Sequence, residues 1–402
     1  MKVLLSAYAC EPNRGSEPEI GWQRALHMKT YADEVWVLTR SNNREAIEAD
    51  PLGRTAGLHF IYYDLPLWAL KLKKHRWLMS IYFALWQWGA GRLAAQHHRE
   101  KQFDCVYHVT FTGMLAGSFM GRLKIPFIVG PIAGGERAPF RLRRGMLMSG
   151  KLKELLRDFG VLLQRYNPLA CQAYAAADRI YVATTESLRL IRPKWHKKTF
   201  VQLSIATCDY AVRGKERRLP EVPRFVFAGR LLHCKGIHFA IRALAETVKA
   251  VPSATLTLVG SGQDEGWLRN LANKLGVKDS VEFAGQISRQ QLIDSLHGYS
   301  ALVFPSLHDS GGSAVLEALQ EEVPVICLDL GGPGVMIDAS CGIVVSTANA
   351  DEARTVKGIA DAMVALATMP AAEAAQLSRG AIARAKELSW VRLTERIVIF
   401  QR

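Results

Sequence analysis

Arg230 and Lys235, in the run Gly229-Arg230-Leu231-Leu232-His233-Cys234-Lys235-Gly236, offer two fixed cations, and Asp309 and Glu317 offer two carboxylates eight residues apart. An Arg fork and a Lys point charge neutralise a diphosphate in complementary ways. The carboxylates can accept hydrogen bonds from sugar hydroxyls. Together the four residues form the set needed to hold a nucleoside diphosphate that carries a sugar.

The neighbouring residues fit that chemistry. Gly229 follows the apolar run Phe225–Ala228 directly, and a glycine turn after a strand lets ligand and backbone approach closely. Gly311-Gly312-Ser313-Ala314 precede an apolar helical pattern, so the free N–H groups of a helix N-terminus are available to phosphate oxygens. Glu317 lies one turn inside that helix, placed for the two hydroxyls of a ribose, and Asp309 in the preceding loop is left to face a transferred sugar. Each residue alone has an ordinary structural explanation, a solvated cation or an acid that favours the helix dipole. Their combination at the ends of two strands is much harder to obtain by chance.

These segments resemble glycosyltransferase family 4, the retaining enzymes of the GT-B fold. Gly229–Gly236 is similar to that family's G-R-x-x-x-x-K-G, and Asp309 to Glu317 is similar to its E-x7-E with Asp in place of the first Glu. Val259-Gly260-Ser261-Gly262 and Phe283-Ala284-Gly285 match the strand ends where the family places the nucleotide base, and the likeness covers most of residues 222–346. It implies a nucleotide-sugar donor, transfer with retention, and no metal or other cofactor; the acceptor expected here is a hydroxyl of a lipid-linked molecule or saccharide at the cytoplasmic membrane face. In that scheme Arg230 and Lys235 stabilise the departing diphosphate, Glu317 binds ribose and Asp309 the donor sugar. The departures are the shorter Asp309 and Ser310-Gly311-Gly312 in place of Gly-Phe-Gly. They leave open a nucleotide-sugar-binding subunit with impaired catalysis, or a GT-B epimerase.

In the N-terminal half, Gly15 and Ser16 precede a helix expected to start near Pro18, where the family has a Gly-rich loop against the diphosphate. His108, at the end of the apolar run Cys105–Val109, is the candidate histidine near the transferred sugar. The family's other common N-domain histidine is absent, with Gly130-Pro131-Ile132-Ala133-Gly134-Gly135-Glu136 in its place.

The elements that must position these residues follow from the hydrophobic pattern. Apolar runs at Val3–Tyr8, Val35–Thr39, Phe60–Tyr63, Cys105–Val109, Phe127–Val129 and Ile180–Ala183 alternate with helical stretches. A second series runs through Phe225–Ala228, Thr255–Val259, Val281–Phe283, Ala301–Phe304, Val325–Leu328 and Ile343–Val345. Continuous apolar strands alternating with helices predict parallel sheets covered on both faces. The expectation is an α/β chain of two Rossmann-like doubly wound domains facing a central cleft: residues 1–210 for the acceptor, 211–385 for the nucleotide sugar, and a helix in 386–402 packing back on the first domain. The junction is expected near Tyr210–Pro223, and no internal repeat is visible.

Of 402 residues, 51 are Lys or Arg and 37 Asp or Glu, a net charge of +14. Residues 1–205 hold 30 of the basic and 16 of the acidic residues, 30 − 16 = +14, so the whole excess lies in that half. A basic half suggests an anionic membrane surface or a phosphorylated substrate, or simply a soluble basic surface. No nucleic-acid signature accompanies it, and no G-x-G-x-x-G follows a strand, which disfavours a dinucleotide oxidoreductase.

Seven scattered cysteines without C-x-x-C spacing argue for reduced thiols in a cytoplasmic protein. The opening Met1–Cys10 run is too short for a lipoprotein signal and reads as a strand. Trp77–Gly91 is too short to cross a bilayer and reads as a buried helix or an interfacial one. Arg141–Leu163, basic and then apolar, leans toward peripheral membrane contact.

Overall fold

The computed structural model describes residues 1–74, 78–112, 117–207 and 220–398, the side chains of residues 73, 74 and 398 excepted. Two compact units make up the chain. The first comprises Met1–Gly135, Phe159–Ile205 and Trp390–Arg402, the second Glu136–Asp158 and Ala206–Ser389. The division thus differs from two consecutive stretches, because Glu136–Asp158 packs with the second unit. Most of the expected junction, residues 210–219, lies outside the described residues.

The first unit holds β1 (Lys2–Ser6), β2 (Glu34–Thr39), β3 (Leu58–Tyr62), β4 (Cys105–His108), β5 (Phe127–Ile132), β6 (Arg179–Val182) and β7 (Thr199–Val201). They form one sheet in the order β3-β2-β1-β4-β5-β6-β7, and every pairing is parallel. The second holds β8 (Arg224–Ala228), β9 (Thr255–Val259), β10 (Val281–Gly285), β11 (Ala301–Phe304), β12 (Val325–Leu328) and β13 (Gly342–Val345), in the order β10-β9-β8-β11-β12-β13. That sheet too is wholly parallel. In both, chain order reverses beside the first strand, at β1/β4 and at β8/β11. Such a switch point opens a crevice at the carboxyl ends of the strands, where ligands of doubly wound sheets bind.

Central strands buried on both faces explain the unbroken apolar runs: β4, β5, β11 and β12 are buried at every position. The Met79–Lys101 helix buries Tyr82, Phe83 and Trp86, and no described helix is long and apolar enough to cross a membrane. The Trp390–Val398 helix closes the first unit. Its Trp390 lies 5.0 Å from the buried Arg24 guanidinium, which also donates to Thr394.

The Met148–Arg165 helix inverts the usual arrangement. Met148, Leu152, Leu155, Leu156, Phe159, Leu162 and Leu163 are exposed, as is Tyr166 just beyond it, while Glu154 is only 2% exposed.

Two imidazoles are buried without charge compensation. Burial pushes His108 in the first unit down to about 4 and, with nearby Arg242, His238 in the second down to about 3. Both are neutral when folded, whereas in the unfolded chain they bind a proton near pH 6.5. Their stabilising effect is therefore complete above that pH and is lost as pH falls toward 4. At pH 5 the cost is about 2 kcal/mol for each. Melting temperature measured from pH 7 to pH 5 should fall by several degrees. A flat profile would mean the imidazoles are hydrated.

Candidate functional site

The site is built at the β8/β11 switch point of the second unit. After β8, Gly229 (φ 152°) turns the chain, and its N–H donates to Val259 O at 2.9 Å while Leu231 N–H donates to Ser261 O at 2.9 Å. The loop ends at Gly236 in the left-handed region, with φ 66°. A Cβ there would lie 1.9 Å from Pro305 O, so only glycine admits this approach of the two loops. The same holds at Gly260, where a Cβ would sit 2.0 Å from Gly229 O.

After β11, the loop from Pro305 reaches Gly312 (φ 107°), which starts the Ser313–Gln320 helix. Leu307 N–H donates to Cys234 O at 2.8 Å, which joins the two loops through the backbone. A cavity of about 360 Å³ lies between them. Gly229, Arg230, Gly260, Ser313, Ala314 and Glu317 line it, together with Gln286, Ser288 and Arg289 from the segment after β10. The first N–H groups of a helix have no acceptor within it, so those of Ser313 and Ala314 are available to a ligand anion.

Glu317 is nearly buried and accepts from Arg289 Nε at 2.6 Å. Ser288, with Gln291, caps the Arg289–Leu296 helix reciprocally, fixing Arg289 at the first helical position. Beside the cavity, Lys235 Nζ is ion-paired to Asp309 Oδ2. Asp309 Oδ1 accepts from Gly311 N–H at 3.2 Å, so this carboxylate orients both a cation and the glycine turn. Phe283 is half-buried on β10 beneath Arg269, 4.1 Å from the guanidinium, and Gln286–Ser288 form the cavity wall in its place.

Two histidines of the motif loops converge on one residue. Glu154 Oε1 accepts from His308 Nε2 at 2.8 Å and from His233 Nε2 at 3.3 Å. Burial alone would raise the Glu154 carboxyl, but the hydrogen bonds from His233 and His308 outweigh it and hold the group well below the usual carboxylate range. An ionised carboxylate only accepts, so both imidazoles carry their hydrogen on Nε2. Gly150, one turn earlier, gives the His233 ring its room: a Cβ there would lie 2.9 Å from Cγ.

In the first unit, Gly15 (φ 66°) precedes the Ser16–Lys29 helix, two residues earlier than the expected start. Glu17 accepts from Phe111 N–H at 3.1 Å, which brings this helix start to the loop after β4. His108, last in β4, contacts Ser6 Oγ at 3.3 Å through Nδ1, while its buried Nε2 has no hydrogen-bond partner. The sequence-chosen residues therefore fall into two groups, each at its own unit's switch point.

Sequence reasoning missed Glu154 and Arg289. The S-x-x-Q capping pattern from Ser288 to Gln291 could have marked the helix that carries Arg289. No signal marked Glu154.

Residues 211–363 match the family model described as Glycosyl transferases group 1. Among curated proteins the chain is similar to a glycogen synthase of Mycobacterium tuberculosis, 32% identical over 148 residues, covering 37% of this chain and 34% of that protein. It is also similar to a GDP-mannose-dependent monoacylated alpha-(1-6)-phosphatidylinositol monomannoside mannosyltransferase of Corynebacterium glutamicum, 29% identical over 194 residues, covering 46% and 49%. The chain thus spans about a third to a half of these relatives. Among solved structures, the lipopolysaccharide outer core galactosyltransferase WaaB superposes with TM-score 0.62 at 14% identity, covering 100% of this chain and 99% of that one. Anabaena HepE in complex with UDP and glucose gives 0.58 at 14%, with the same coverage. The fold is that of GT-B glycosyltransferases, two Rossmann-like parallel-sheet domains.

Proposed function

We propose that the protein is a retaining glycosyltransferase of the family 4 type, moving a hexose-type sugar from a nucleoside diphosphate to a hydroxyl of a lipid-linked or saccharide acceptor, without a metal. The observation that carries this reading is the single cavity lined by Arg230, Glu317 and the free N–H groups of Ser313 and Ala314. These are a cation, a hydroxyl acceptor and an anion-binding helix start at one switch point. Glu317, already fixed by Arg289, takes the ribose hydroxyls. Arg230 and Lys235 take the diphosphate, and Asp309 takes the donor sugar.

In the transfer, the bond from the anomeric carbon to the diphosphate oxygen breaks and its electron pair stays on that oxygen. A bond to the acceptor oxygen forms on the same face, and the acceptor proton leaves with the diphosphate. Arg230 and Lys235 stabilise the charge that develops on the leaving group, the largest electrostatic contribution in such chemistry. Gly15, Ser16 and the unpartnered Nε2 of His108 serve the sugar and acceptor side. The protein works in the cytoplasm, at an anionic membrane face that carries the lipid-linked acceptor.

A thermal-shift screen of UDP, GDP and ADP with their sugar conjugates tests the donor site, because a ligand that binds only the folded state raises the melting temperature. One nucleotide should stabilise wild type and have no effect on Arg230→Ala. The absence of any shift would remove the reading. A shift without nucleoside diphosphate release on adding acceptors would favour a binding subunit, a role that Asp309's engagement by both Lys235 and Gly311 N–H motivates. Conversion of the donor sugar without acceptor would favour an epimerase.

A further inference from the structure

The Met148–Arg165 helix exposes a broad apolar face that nothing among the described residues covers. At 100° per residue, Met148, Leu152, Leu155, Leu156, Phe159 and Leu162 fall within an arc of roughly 120°. Lys151 and Lys153 flank the two edges of that arc, and the exposed Arg144 stands just before the helix. The helix has only two acids, and neither belongs to the outer face. Glu154 is buried against His233 and His308, and Asp158 is held by Arg143 at 2.7 Å. The outer surface is therefore apolar and cationic, without a compensating carboxylate.

We propose that this helix lies in the headgroup region of an anionic lipid bilayer, with its leucines in the acyl boundary and Lys151, Lys153 and Arg144 on the lipid phosphates. An amphipathic helix with a wide apolar arc and basic edges binds such a surface through buried apolar area and charge together. A second copy of the chain fits less well. Pairing two such faces would bring cations against cations, with no acid on the face to offset them. The inner side of the same helix carries Glu154, which holds the two donor loops through His233 and His308. Docking would thus set those loops at the lipid surface. The inference deepens the lipid-linked acceptor of the proposed function and rests on it only for its use.

The test is co-flotation of the full chain with vesicles of phosphatidylcholine alone or mixed with phosphatidylglycerol, at low and high salt, alongside sedimentation velocity and the nucleotide thermal shift. Wild type should float with the anionic vesicles only, and less so at high salt. The double variant Leu155→Gln, Leu156→Gln should lose about tenfold or more in apparent affinity, and Lys151→Gln, Lys153→Gln should weaken binding to anionic vesicles. Both variants should keep the wild-type melting temperature and nucleotide response, so failure of docking is distinguishable from failure of the donor site. Absence of flotation by wild type, or equal flotation of the leucine variant, would overturn the proposal. So would a wild-type dimer that the leucine variant dissociates.

Discussion

Glu154→Leu is expected to lower the melting temperature of the second unit by roughly 10 °C, equivalent to about 3–5 kcal/mol, and to weaken nucleotide binding at the same time. The leucine removes the acceptor of two imidazole N–H groups. His233, nearly buried, then has no hydrogen bond on either ring nitrogen, because its Nδ1 already makes none and only faces the Asp264 carboxylate at 3.9 Å. Both histidines sit in motif loops, His233 two residues before Lys235 and His308 next to Asp309, so the loss reaches the donor cavity as well as the fold. Glu154→Gln keeps a carbonyl oxygen for the same donors and should cost only about 1 kcal/mol. Calorimetry of the three proteins, with nucleotide titration of each, separates the two effects. A leucine variant as stable as wild type, with equal nucleotide affinity, would show that the tie contributes nothing.

Lys235→Ala is expected to slow release of nucleoside diphosphate from the donor by about 10²–10³-fold, the usual cost of removing one preorganised group facing developing negative charge. Asp309→Ala should be comparably severe, because Asp309 orients Lys235 and the Gly311 turn together. Since the two act as one unit, the double variant should be little worse than either single one. Steady-state rates with the nucleotide identified in the thermal-shift screen would decide this. Full additivity in the double variant would mean that the ion pair in the free protein is not the arrangement used in the reaction.

The parallel sheets were readable because strands buried on both faces leave unbroken apolar runs. Thr255–Val259, Ala301–Phe304 and Val325–Leu328 coincide with observed strands residue for residue. The edge strand β7 was not anticipated. Its three residues follow a cluster of Lys and His and carry too little apolar signal. Arg230 and Glu317 stood out because each lies at a fixed offset from a glycine turn, and local chain geometry alone brings them to the cavity. Glu154 was invisible for the opposite reason. Its partners lie 79 and 154 residues away, and only tertiary packing makes it different from any other acid on a helix. The Met148–Arg165 helix has an ordinary amphipathic pattern, and periodicity alone does not say whether its apolar face points inward or out.

The division of the chain also bears on how it is made. As synthesis proceeds, Glu136–Asp158 leaves the ribosome well before Ala206–Ser389, the stretch it packs with, and the first unit waits for Trp390 to cover Arg24. The first unit therefore cannot complete its core until the second has been translated. The leucine-rich segment is thus displayed on the nascent chain before His233 and His308, which Glu154 holds, have been made. A fragment starting at Ala206 would lack Glu154 and leave His233 and His308 without their acceptor.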